Sequence, residues 1–199
     1  IYNRTSINLL LAALFIFGGI WLNITEAFKV MNIQSEYEAG IQVIFLLGIS
    51  RIIDAGTGVN GQIIATSIQW RFDFITGVVL LALMIPLNYI LIKEIGIVGS
   101  AYANLISFTV YNFIRCVFLW KKYNLQPFSL KHLLSLLLGI ACYLLCYFLF
   151  KGMSGWIGIL LRSILFILIF IGGVFIMKLT PDAMQLLETV RNRFNRKNS

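Results

Sequence analysis

Long apolar runs alternate with short polar joints along this chain, and six runs reach the roughly 20 residues that a helix needs to cross a bilayer. They predict spans near residues 5–23, 39–64, 74–92, 97–120, 132–150 and 156–178. In the second run, at about 100° per residue, Ser50, Arg51, Asp54, Thr57, Gly58, Gly61 and Gln62 fall within an arc of roughly 140°. Phe45, Ile49, Ile52, Ile53, Val59 and Ile63 take the opposite side, and Asn60 sorts to neither. In the fourth run Ser100, Asn104, Ser107, Tyr111 and Arg115 step by four, three, four and four along one face. Two polar stripes predict a shared hydrated or polar interior. The fifth run has little that is polar beyond Ser135, its cysteines and its tyrosines, which predicts a peripheral place. The fold class is therefore all-α, a polytopic transmembrane helix bundle of six spans.

Composition agrees with that pattern. Of 199 residues, 59% are hydrophobic and 12% charged, the latter about half the usual share of a soluble domain. Disorder, a nucleic-acid-binding domain and an ordinary water-soluble enzyme are excluded, because a chain this apolar needs lipid around it. The net charge of +8 reads as topology. Arg4, Arg71, Lys121, Lys122, Lys131, Lys178, Arg191, Arg193, Arg196 and Lys197 sort to one side. Lys29, Lys93 and Lys151 sort to the other, with Glu26, Glu36, Glu38 and Glu94. The positive-inside rule then predicts a multi-pass protein with both ends of this chain in the cytoplasm. Cys116, Cys142 and Cys146 lie in apolar runs and read as small buried hydrophobes.

The organisation predicted is a four-helix part over residues 1–120, a basic connection with Pro127 over 121–131, a terminal helix pair over 132–178, and a basic tail over 179–199. Met184, Leu186, Leu187, Val190 and Phe194 predict an amphipathic helix on the anionic leaflet for that tail. The chain opens on Ile1 with no small-residue cleavage site, which predicts the carboxyl-terminal part of a longer protein rather than one with its own signal peptide.

Arg51 and Asp54 stand near the middle of their run, where a charge costs about 2.5–3.5 kcal/mol on insertion scales, and a spacing of three lets them pair. They read either as a buried ion pair that fixes helix packing or as a site in which Arg51 attracts an anionic substrate. Arg115 ends the polar stripe. Arg162 lies about two turns inside the sixth run, where it either snorkels or meets substrate. His132, beside Lys131, reads as a solvated flank. Gly56, Gly58 and Gly61 spell GxGxxG, but a dinucleotide fingerprint must follow a strand, and this one lies inside an apolar helix. No Ser/His/Asp set, metal-ligand cluster or phosphate loop stands out, so neither a catalytic residue nor a cofactor is assigned. Pro86 with Asn88 predicts a kink or partial break in the third run.

The runs DAGTGVNGQIIATS from Asp54 to Ser67 and NYILIKEIGIVGSAYANLIS from Asn88 to Ser107, followed by the lysine-rich connection with Pro127, resemble the carboxyl-terminal domain of polysaccharide-biosynthesis membrane proteins. These are the O-antigen and capsule flippases of the multidrug/oligosaccharidyl-lipid/polysaccharide exporter superfamily. The resemblance covers most of residues 40–130 and, more loosely, the last two runs, and is most specific from Gly96 to Ala103. It implies the second lobe of a MATE-like flippase fold in a bacterial inner membrane, working with an amino-terminal lobe. It further implies a cationic cavity for the pyrophosphate and acidic sugars of an undecaprenyl-linked oligosaccharide, and a coupling Na+ or H+. The matching positions are Arg51, Asp54 and the stripe from Asn104 through Tyr111 to Arg115. Gln62 on the same arc and Arg162 complete the candidate substrate-binding set.

Two other functions remain open. A multidrug cation antiporter of the same fold calls for an acidic cavity, whereas basic residues outnumber acidic ones within these spans. A membrane polysaccharide polymerase calls for a long outward loop rich in Arg and His. The stretch near residues 24–38 is acidic and lacks His, and the one histidine sorts to the other side, which also weighs against an acyltransferase.

Overall fold

The structure, a computed structural model, describes residues 2–33, 38–182 and 185, and among these residues every regular element is helical. The order is α1 (Tyr2–Val30), α2 (Glu38–Thr57), α3 (Asn60–Ala65), α4 (Trp70–Ile95), α5 (Ile97–Tyr123), α6 (Leu130–Leu149) and α7 (Gly155–Ile176). All but α3 are long and apolar enough to cross a membrane.

The helices run alternately up and down. Near the start of α1, Ser6 meets Gly56 at the end of α2, Asn3 reaches Pro127 ahead of α6, and Arg4 meets Asp182 beyond α7. At the opposite end Glu26, late in α1, accepts the amide of Gly155 at the start of α7. Arg4, Lys131 and Lys178 thus share one end of the bundle, as their sorting in the sequence predicts.

One row of contacts organises the chain: α4 packs on α5, α5 on α2 and α2 on α1, while α6 and α7 pack on each other and on α1. Ile7, Leu10, Leu11 and Leu14 recur at helical spacing on α1 and bury against Cys142 and Cys146 of α6 and Phe166, Phe170 and Val174 of α7. All three cysteines are buried free thiols, as small apolar residues would be. The expected peripheral helix α6 touches α1 and α7 along one side and shows Leu133, Leu137, Ile140 and Leu144 on the other.

The α4–α5 connection explains the small residues from Gly96 to Ala103. Gly96 alone separates the two helices, at φ +66°, a left-handed region that costs an L side chain about 1 kcal/mol or more. Ala101 and Ala103 are buried, and a Cβ on Gly99 would collide with the backbone of Leu91. Close approach of the two helices requires Gly99. Helix α4 continues through Pro86, so of the kink or partial break expected there, the break is absent. Thr76 is its one buried residue; Phe72, Leu80, Leu83, Leu87 and Leu91 are half-buried, while Phe74, Ile75, Leu81, Ile85 and Tyr89 face outward. The amphipathic tail helix expected after Pro181 falls on residues mostly outside those described.

Candidate functional site

The second run is not one helix. It stops at Thr57, turns at Gly58 with φ +70°, and restarts as α3. A Cβ on Gly58 would stand 2.8 Å from that of Ser6, so both backbone angle and space call for glycine. A helix end within an apolar span must have its last four carbonyls satisfied. Each one is. The Asp54 carbonyl receives the Thr57 hydroxyl at 2.8 Å, Ala55 the Gly58 amide at 3.0 Å, Gly56 the Ser6 hydroxyl at 2.6 Å, and Thr57 the Tyr2 hydroxyl at 2.8 Å.

The break corrects the wheel drawn from sequence. Gly61 and Gln62 belong to α3, and their direction is not set by the phase of α2. It also places Asn60, which opens α3 in a buried position and donates to Asn112 Oδ1 at 3.0 Å. The Asn112 amide donates in turn to Asp54 Oδ1 at 3.0 Å, and the Thr57 hydroxyl lies 3.1 Å from Asn112 Oδ1. One asparagine of α5 therefore ties α2 to α3 across the break.

Polar residues of α2 and α5 face each other directly. The Ser50 hydroxyl donates to Asn104 Oδ1 at 3.1 Å, and the Arg51 guanidinium lies 5.7 Å from the centre of the Phe108 ring. Ser107 is buried on the same helix. The stripes form a polar seam between packed helices over much of their length.

The seam opens at Arg51 and Asp54. These two and Gln62 line a groove of about 630 Å³ between α1 and α2, whose other walls are apolar and include Ile16, Phe17 and Leu47. Arg51 and Asp54 stand 4.0 Å apart with side chains 68% and 43% exposed. Among the described residues no hydrogen bond uses the N–H donors of Arg51. It presents a cation on an otherwise oily surface.

Arg115 is different. It is 6% exposed and bound by Asp73 of α4, its Nε donates to Thr76 Oγ1 at 3.2 Å, and it stacks 3.9 Å from the centre of the Tyr111 ring. A Cβ on Gly61 would lie 2.5 Å from its guanidinium, so Gly61 keeps the slot open. Tyr111 and Arg115 thus join α3, α4 and α5 and do not line the groove. Arg162 lies apart from it as well, donating to the carbonyls of Phe150 and Met153 at the turn between α6 and α7. Of the candidate residues, the structure brings together Arg51, Asp54 and Gln62, and joins Asn104 to them through Ser50.

Compared with protein-family models, characterised proteins and solved structures, the chain matches none.

The expectation for His132 is corrected. It is 5% exposed: the Ser129 amide donates to Nδ1 at 3.2 Å, and Nε2 lies 2.9 Å from the Ser6 hydroxyl. With Nδ1 accepting, Nε2 carries the proton and donates to Ser6, whose own proton goes to the Gly56 carbonyl. The helix break and the start of α6 are joined by this chain. Asp73 and Asn112 were missed in the sequence reading. Asn112 follows Asn104 and Phe108 at steps of four, and Asp73 is one of three aspartates, each of which meets an arginine.

Proposed function

We propose that this chain is one lobe of an alternating-access carrier that moves a lipid-linked oligosaccharide, of the undecaprenyl-pyrophosphate class, from one leaflet to the other. The reading rests on the exposed Arg51 and on the groove around it. A polyprenyl phosphate is an apolar chain with an anionic head, and the groove between α1 and α2 has apolar walls with one cation near its polar end. A guanidinium whose donors are unspent is suited to phosphate oxygens. No bond is made or broken in such a step; the work is to shield a polar head from hydrocarbon while the tail stays in lipid.

The interruption of α2 at Gly58 supports the same reading. Carriers place broken helices beside their substrate sites, where an irregular backbone can line a cavity and act as a hinge. Gly58 is itself among the groove's lining residues. The end of the bundle that gathers Arg4, Lys131 and Lys178 is the cytoplasmic one in this reading, the carrier sits in a bacterial inner membrane, and a Na+ or H+ gradient drives the cycle. Asp54 favours one second reading, a cation exporter of similar build, because its half-exposed carboxylate lies in the same groove. Replacing Arg51 with Ala in the full-length protein separates the two: loss of surface polysaccharide at normal protein level supports the flippase, and unchanged polysaccharide with altered drug sensitivity supports the exporter.

A further inference from the structure

A second cavity lies where α1, the start of α6 and the chain beyond α7 meet. Its volume is about 380 Å³, Arg4 and Lys131 stand in its wall, and Ile7 and Leu179 form its apolar floor. The charge of Arg4 is matched by Asp182, which Asn8 also binds. Lys131 has no such match: its ammonium donates to the backbone carbonyl of Lys178 at 3.3 Å. Among the described residues neither lysine is paired with a carboxylate.

An apolar track starts at the same rim. Leu130, Leu133, Leu137, Ile140 and Leu144 are exposed on α6 at steps of three, four, three and four, which puts them on one face. The fourteen steps from Leu130 to Leu144 rise about 21 Å at 1.5 Å each, enough to follow an acyl chain through one leaflet, about half of a 30 Å hydrocarbon core. Cation and track together describe an amphiphile with an anionic head, whereas a free phosphate would have no use for the track.

We propose that this cavity seats the phosphate of an anionic glycerophospholipid, with Lys131 as its counter-charge and an acyl chain along the face from Leu130 to Leu144. The site lies apart from the Arg51 groove and does not depend on the carrier reading. The lipid fastens α1, α6 and the exit of α7 to the leaflet at the basic end.

The test uses the whole chain, purified in detergent, stripped of lipid and read by native mass spectrometry with phosphatidylglycerol, phosphatidylcholine or inorganic phosphate. Phosphatidylglycerol is expected to be retained over phosphatidylcholine, and inorganic phosphate to leave it in place. Lys131→Gln should lower that preference by about five-fold. Lys131→Arg should keep it, and Lys93→Gln, at the opposite end, should not change it. Equal retention of the two lipids, or a preference that survives Lys131→Gln, overturns the site; displacement by inorganic phosphate overturns the lipid in favour of a soluble anion.

Discussion

Arg115 is enclosed by a carboxylate 42 residues earlier in the chain, that of Asp73, and the pair fastens α5 to the first turn of α4. The pair adds to the packing of α4 on α5, where Phe72 stacks on Phe118 with ring centres 3.8 Å apart. Removing one partner of a buried pair leaves the other charge without a match, at a cost of about 3–5 kcal/mol, while removing both for apolar groups is far milder. Asp73→Asn is therefore expected to lower thermal stability in detergent sharply. The double variant Asp73→Leu with Arg115→Met should recover most of the loss. A double variant no better than Asp73→Asn would show that the pair is not the source of the effect.

Gly61 tests the same contact from the third side. A methyl group there meets the guanidinium of Arg115, and crowding of a packed site costs about 1–3 kcal/mol. Gly61→Ala should destabilise the chain on its own and lose most of that effect when Arg115 is Met. Equal penalties in both backgrounds would mean that Arg115 does not occupy the slot.

How far the sequence led can be read from these residues. Apolar length alone gave six spans, since a bilayer imposes a minimum on every helix and leaves little else to decide. The break at Gly58 was hidden because the residues on both sides of it are as apolar as a continuous span, and its cause is tertiary: Ser6 and Tyr2 on another helix receive the carbonyls it frees. Arg115 was legible as polar and inward. Its partner was not, because Asp73 sits in a separate helix and spacing along one helix says nothing of its neighbour. His132 was misread for a related reason, a basic neighbour in Lys131 suggesting water where α1 in fact covers the ring. Arg51 and Asp54 were recognisable as a pair, since both lie on the same two turns.

The hydrogen-bond chain from His132 through Ser6 to Gly56 makes its own prediction. Ser6→Ala strands the Gly56 carbonyl and the Nε2 proton together, and a buried polar group left unpaired costs about 1–3 kcal/mol. Stability should fall by at least one such step, and nitrogen NMR of the native chain should find His132 as the neutral Nε2–H tautomer. An Nδ1–H tautomer would contradict the chain as drawn.

Beyond the last span, Asp182 makes its tie to Arg4 sensitive to pH. Hydrogen bonds from Arg4 and then Asn8 to the carboxylate hold the Asp182 pKa at about 2, against an ordinary 3.8. A lowered folded-state value means that the contact stabilises the chain above the ordinary value and stops doing so as pH falls through about 2. The melting temperature of the native chain should exceed that of Asp182→Asn above pH 4, and the gap should close as pH falls toward 2. A gap that stays constant over that range would deny the carboxylate any role.

The decisive variant for transport is at Arg51, because its position separates function from folding. An exposed side chain with no hydrogen bond among the described residues should be replaceable at a cost within about 0.5 kcal/mol, in contrast to Arg115. Contact with a phosphate is another matter, since hydrogen bonds to charged groups contribute about 1.5–3 kcal/mol, or roughly ten-fold and more in binding. Arg51→Gln in the full-length protein should therefore leave melting temperature and membrane level unchanged and cut the transfer of a lipid-linked oligosaccharide between leaflets about ten-fold. Arg51→Lys, which keeps the charge but not the planar fork, should fall between the two. If Arg51→Gln transfers as fast as the native protein, the groove between α1 and α2 does not bind the phosphate head, and the carrier reading loses its support.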